Sequence, residues 1–234
     1  MKERPVTQRL LAWSVHLFTA SGLLAGFMAM LAINEKGWRE AMLWLLLALF
    51  IDAIDGTFAR LFRVRETLPF MDGKMIDYVV DFINYALVPA YFFYMVDLVP
   101  GYWGIGLTFL ILMTSAIYYG KEGMVSDDMH FVGFPVLWNL IVFLLVFVIT
   151  LPPVGNAVTI VFFAVLHFVP IKFAYPSRAI RFKNLTLAVS FFTLLAMFWA
   201  IWIFPEREGW LSGMVLAGIL YYLGLALYET FWGD

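Results

Sequence analysis

The chain has no cysteine and only three histidines, so it carries no disulfide framework, no thiolate metal site and no thiol nucleophile. Charge is scarce too: Asp, Glu, Lys and Arg together make 14% of the 234 residues, against roughly 25% in a soluble domain. The balance is slightly acidic, with a net charge of −2, which excludes a protein built around a basic nucleic-acid-binding face. There is no Ser/Gly linker, low-complexity tract or internal repeat to mark a second domain. What is abundant is apolar surface. Hydrophobic residues reach 63% and aromatics 19%, with a mean hydropathy of +0.87. That is more than one water-soluble core of this size can hide, and aromatic enrichment suits interfacial belts. The fold class expected is an all-α integral membrane protein forming one polytopic domain over 1–234.

A spanning helix needs about 20 mainly apolar residues. Eight such runs are present, near 11–33, 39–61, 75–97, 103–120, 132–151, 156–173, 185–204 and 210–229, the fourth and sixth being the shortest. The first is too long for a signal peptide and carries no small-residue cleavage site, so it is expected to be retained. If the N-terminus is placed inside, twelve of the fifteen Lys and Arg residues fall on inner segments: Lys2, Arg4, Arg9, Arg60, Arg63, Arg65, Lys74, Lys121, Lys172, Arg178, Arg181 and Lys183. Only Lys36, Arg39 and Arg207 fall outside. The positive-inside rule then puts both termini in the cytoplasm.

Four carboxylates stand where a membrane helix tolerates them least. Asp52 and Asp55 lie near the inner end of the second run, Asp77 and Asp81 near the inner end of the third. A single charge at a helix centre costs about 2.5–3.5 kcal/mol on insertion scales, so four need compensation. Asp52, Asp55, Gly56, Ala59 and Arg60 are spaced i, i+3, i+4, i+7 and i+8, which is one helix face; Gly73, Asp77 and Asp81 step by four along another. A short basic connection makes the two helices antiparallel neighbours, so the stripes can meet. Converging carboxylates call for a hard cation with oxygen ligands. The plain alternative is ion pairing with Arg60, Arg63, Arg65 or Lys74. Gly56 and Gly73 each weaken a helix by roughly 1 kcal/mol relative to Ala, and either close helix packing or an open surface for a phosphate or nucleotide accounts for them.

The string Asp52-Ala53-Ile54-Asp55-Gly56-Thr57-Phe58-Ala59-Arg60, followed after twelve residues by Gly73 with Asp77 and Asp81, resembles the signature of the CDP-alcohol phosphotransferases. The long gap and the approach Pro69-Phe70-Met71-Asp72-Gly73 resemble its bacterial phosphatidylcholine synthase branch. So do Val15-His16-Leu17-Phe18-Thr19-Ala20, the stretch Phe131 to Asn139, and Pro170-Ile171 with Pro176-Ser177-Arg178. The chain departs from that branch at Tyr175, where it often has histidine. The eight expected spans also suit it.

The resemblance implies transfer of the phosphatidyl group of CDP-diacylglycerol to choline, with release of CMP, at a divalent site holding Mn²⁺ or Mg²⁺ and two ions. By position, Asp52, Asp55 and Asp77 match metal ligands, and Asp81 matches the residue that completes the site and acts as general base. Gly56 and Ala59 match small positions against the cytidine nucleotide; Arg60 matches a phosphate contact, and Gly73 belongs to the same CDP-lipid surface. Coordination and base function compete for Asp81, because metal binding weakens a carboxylate as a proton acceptor. Membrane lipids as surroundings, no nucleic-acid partner, a homodimer and an inner-membrane location facing the cytoplasm are also implied. A different acceptor (inositol, serine or glycerol phosphate) keeps the chemistry, whereas a metal-ion transporter would want acids at the midplane with a route from both sides.

Choline has no N–H to donate, so its recognition needs ring faces and diffuse negative charge. Tyr78 and Tyr85, at i−3 and i+4 from Asp81, are candidates, together with Trp138 and Asn139 from the fifth run. His16 is expected to be a buried helix residue, His130 to be solvated, and His167 to sit at the interface. From the charge asymmetry, reporters fused at the C-terminus and within 61–73 are expected to read cytoplasmic; a periplasmic signal at 61–73 would separate the carboxylates from a cytosolic nucleotide.

Overall fold

A computed structural model describes residues 5–126, 130–174 and 182–233. Lys2, Arg4, Tyr175, Pro176, Arg178 and Arg181 lie outside the described residues. The protein is helical almost throughout: α1 (Val6–Asn34), α2 (Trp38–Leu61), α3 (Val64–Thr67), α4 (Gly73–Asp81), α5 (Val88–Met95), α6 (Tyr102–Tyr119), α7 (Trp138–Phe143), α8 (Pro153–Leu166), α9 (Lys183–Ile203) and α10 (Gly209–Phe231). Among the described residues α1, α2, α6, α9 and α10 are each long and apolar enough to cross a membrane. Their outward surfaces carry Leu17, Phe27, Phe50, Phe109, Phe191 and Leu220, a polarity that only lipid solvates well. This is a multi-pass membrane protein.

Helices α4 and α5 join end to end through a wide π-helical stretch, Phe82–Leu87, into one rod over 73–95. Pro89, which has no N–H for the ladder, follows directly. A second such stretch, Leu144–Val148, extends α7. The rod starts sharply because the Asp72 carboxylate caps it, accepting from the backbone N–H of Lys74 at 3.0 Å and Met75 at 3.2 Å.

Two expected runs come out shorter. The 132–151 run is helical only over 138–148, because Gly133 has φ +93° and Pro135 follows. Residues His130–Val132 instead form a strand, β1, antiparallel to β2 (Lys172–Ala174). The 156–173 run shifts to Pro153–Leu166, with Pro152 and Pro153 opening the helix. A Cβ at Gly133 would strike the His167 carbonyl oxygen, so the strand pair and the end of α8 close on a position that only glycine fits.

Helices α1 and α2 pack most extensively, and α1 also packs on the α4–α5 rod. The contact face of α1 is made of small residues: Ala12, Gly22, Ala25, Gly26 and Ala29 are buried. Gly22 and Gly26 form a G-x-x-x-G pair against which the rod lies close. Asn84 fits there, its Nδ2 donating to the Gly22 carbonyl at 3.1 Å. A Cβ at Gly22 would stand 2.8 Å from Val80 Cγ1, and one at Gly26 would strike Asn84 Oδ1. Elsewhere α9 and α10 pair through Thr186 and Tyr221, whose hydroxyls are 2.7 Å apart.

Gly26→Ala is therefore expected to cost about 1–3 kcal/mol of stability through overpacking, since Asn84 can give way only by losing its bond to α1. Gly106→Ala on α6, where a Cβ meets nothing within 4 Å, is the control. Thermal unfolding in detergent should show a lowered midpoint for the first and little change for the second.

Candidate active site

The antiparallel approach of α2 and α4 brings the two acidic stripes together. Ligand oxygens of Asp52, Asp55 and Asp77 all lie within 4.8 Å of one another. Asp81, one turn beyond Asp77, lies within the electrostatic reach of all three without joining that tight group. Asp55 is buried and the other three are half-buried, so the cluster opens on one side. Among the described residues none of the four makes an ion pair with Lys, Arg or His, which removes the plain alternative that Arg60, Arg63, Arg65 or Lys74 neutralise them. Three clustered carboxylates without an ion-pair partner among the described residues, offering only oxygen, fit a hard divalent cation.

Neighbours aim the carboxylates. The Tyr85 hydroxyl, on the wide turn of the rod, donates to Asp52 Oδ2 at 2.8 Å. Asp55 lies against the Thr19 hydroxyl of α1 and feels the charge of Arg60. Arg60 is exposed, and its Nη2 donates to Thr57 Oγ1 at 3.1 Å, leaving the rest of its fork free toward the open side. A Cβ at Gly56 would meet only Arg60 Nη1, at 3.4 Å, so no neighbouring helix requires this glycine. Gly73 differs: a Cβ there would stand 3.1 Å from His16 Cε1, which makes it a close-packing position between α1 and the rod. Ala59 packs beside Ala12, Val15, Val64 and Leu68, under α3.

The aromatic candidates separate. Tyr78 is half-buried at the cluster's edge, its ring centroid 5.7 Å from that of Tyr119. Tyr85 is buried, with its hydroxyl committed to Asp52. Trp138 is fully buried; its indole N–H donates to Ser115 Oγ at 2.9 Å and its ring meets His167 edge-on. Asn139 is buried facing Leu45 and Leu49 of α2 and Met197 of α9. Among the described residues neither Trp138 nor Asn139 hydrogen-bonds a carboxylate. Two expectations for histidine are corrected. His167 is wholly buried, with Nδ1 2.6 Å from the Phe134 carbonyl oxygen, because the 133–135 turn folds over it. His130 is a strand residue 4.0 Å from Glu229 rather than a solvated loop residue.

No family model matches the chain. Individual proteins do. It is 35% identical to a phosphatidylcholine synthase of Pseudomonas aeruginosa over 94% of this chain and 92% of that one. A phosphatidylcholine synthase of Rhizobium meliloti is 36% identical over 92% and 90% of the two chains. Another, from Mesorhizobium japonicum, is 42% identical over 76% and 67%. The chain belongs to the bacterial phosphatidylcholine synthase family.

One neighbour of the site, Tyr119, carries no signal in the sequence, and the contacts of Thr19 and Tyr85 with the carboxylates appear only in the structure. Tyr119 is remote in sequence, and only the α5–α6 hairpin brings it to the rod. Thr19 sits in an ordinary apolar helix, and the Tyr85 hydroxyl bond needs the π-helical turn to aim it. A second residue that orients a ligand typically changes metal affinity by 10–100-fold. Tyr85→Phe is thus expected to weaken Mn²⁺ binding by about tenfold, read as free Mn²⁺ by paramagnetic resonance on purified protein; unchanged binding would separate Tyr85 from the metal site.

Proposed function

We propose that the chain transfers the phosphatidyl group of CDP-diacylglycerol to choline, giving phosphatidylcholine and CMP. The observation that carries the proposal is the group of three carboxylates, with oxygens within 4.8 Å and no ion-pair partner among the described residues, in a chain of this family. Asp52, Asp55 and Asp77 would hold a divalent cation, Mn²⁺ or Mg²⁺, with Asp81 completing the metal site. The cation supplies the positive charge that diphosphate oxygens and the departing CMP require. Arg60 binds the diphosphate with its planar fork. The bare surface at Gly56 admits the nucleotide. Asp81 takes the choline hydroxyl proton while that oxygen attacks the phosphorus bearing diacylglycerol. The bond from that phosphorus to the CMP oxygen breaks, and CMP leaves.

The topology that serves this reaction has eight crossings with both termini in the cytoplasm. The continuous rod over 73–95 supplies the third crossing, and the shorter apolar helices 138–148 and 153–166 support the fifth and sixth. The carboxylates then lie toward the cytoplasmic end, where CDP-lipid headgroups and soluble choline meet. That vertical position also argues against an ion pathway, which needs access from both sides.

The deciding experiment incubates purified protein with CDP-diacylglycerol, Mn²⁺ or Mg²⁺ and a panel of alcohols, and follows CMP. Choline is expected to release it; turnover of inositol, serine or glycerol phosphate in its place overturns the acceptor. Chelation should abolish release, and Asp52→Asn or Asp77→Asn should remain inactive in excess metal. Asp81→Asn should lose turnover yet still bind CDP-lipid. Near-normal rates for Asp81→Asn would exclude it as base and as ligand.

A further inference from the structure

Choline is an unusual acceptor because its charge carries no N–H. Hydrogen-bond acceptors cannot grip it, and attraction must come from ring faces and nearby negative charge. Its nitrogen and hydroxyl oxygen are separated by only two methylenes. Whatever seats the trimethylammonium group must therefore adjoin the carboxylate that takes the hydroxyl proton.

One corner of the structure meets that requirement. Tyr78 and Phe82 stand i and i+4 on the rod and flank Asp81 along it. Tyr119, from the inner end of α6, leans on both. Its ring centroid is 5.7 Å from that of Tyr78, with the planes at 53°, and 6.2 Å from that of Phe82, at 71°. The rings thus form a corner rather than a stack. Tyr119 lies in the field of Asp81, Asp52 and Asp77, and Tyr78 in that of Asp77, Asp81 and Asp72. All three rings are half-buried, as are Asp77 and Asp81, so none of these side chains is sealed in the core. Neither Trp138, sealed in the core, nor Tyr85, bound to Asp52, is as free to serve.

We propose that Tyr78, Phe82 and Tyr119 together form the seat of choline's quaternary ammonium group, making Tyr119 and Phe82 specificity-determining residues of the transfer. The proposal rests on choline being the acceptor. Ring faces attract a cation and give a neutral group of the same shape far less, so the seat reads charge rather than size. Simple ring packing would give no such preference.

The test uses the full chain in detergent–lipid micelles and CMP release. Tyr119→Leu and Phe82→Leu are expected to raise the choline KM by about tenfold or more, with the CDP-diacylglycerol KM unchanged. Tyr119→Phe, which keeps the face, should stay close to wild type. Tetramethylammonium should compete with choline and lose potency in the leucine variants by a similar factor. Replacing Phe82 by phenylalanines with one, two and three ring fluorines barely alters shape but progressively weakens the negative ring face. The choline KM should rise along that series even if the leucine variants fail to fold. A flat fluorination series, a parallel rise in both KM values, or Tyr119→Phe as damaging as Tyr119→Leu overturns the seat while leaving choline as the acceptor. If the wild type releases no CMP with choline but does with another alcohol, the acceptor assignment itself fails, and the seat with it.

Discussion

Four carboxylates crowded at one end of two apolar helices repel one another, and their repulsion organises the molecule around them. Two like charges about 4 Å apart cost roughly 1 kcal/mol in water and about 4 kcal/mol at the effective dielectric of a protein surface. No described Lys, Arg or His neutralises the group directly. The protein instead sets neutral hydroxyls beside it: Tyr85 donates to Asp52, and Thr19, whose hydroxyl donates to the Val15 carbonyl, lies next to Asp55. Arg60 stands off at the open edge. Such an arrangement leaves negative charge available to a cation instead of cancelling it internally, and it leaves the Arg60 guanidinium available to an anion.

Holding the stripes at that distance depends on α1. Its face of Ala and Gly lets the rod lie close, and Asn84 keys into it through Gly22. Membrane helices have no hydrophobic drive to associate, so close van der Waals fit and a buried hydrogen bond carry the contact. The π-helical stretch Phe82–Leu87 follows from the same demand. Its extra residue rotates the rod between Asp81 and Pro89, presenting Asn84 to α1 and the Tyr85 hydroxyl to α2. The tight face and the functional face are thus two sides of one segment.

The rest of the bundle supplies a rigid wall. His167 is tied to the Phe134 carbonyl and enclosed by Tyr118, Phe134 and Trp138, which anchors the 133–135 turn to the end of α8. The β1–β2 pair is linked to α10 through the Thr230 hydroxyl, which accepts from the Lys172 N–H at 2.8 Å. Tyr118 faces that wall and Tyr119 faces the carboxylates, so one turn of α6 connects packing to chemistry.

Hydropathy alone determined that this is a multi-helix membrane protein, because apolar runs of spanning length have no other stable solvent. The spacing of Asp52, Asp55, Asp77 and Asp81 determined that the acids share two faces, because helical periodicity is local. Gly56 and Gly73 looked equivalent in the sequence. Only the packing of α1 separates them, leaving Gly56 bare and putting His16 against Gly73. Helix limits at 132–151 and 156–173 were blurred because an apolar run does not reveal where a glycine with positive φ and a strand pair interrupt it. Trp138 was a candidate on the sequence and Tyr119 was not, yet the tertiary structure buried the first in a core of rings and brought the second to the carboxylates. Ring position depends on which helices are neighbours, and that is settled by contacts between residues far apart in the chain, which no local pattern records.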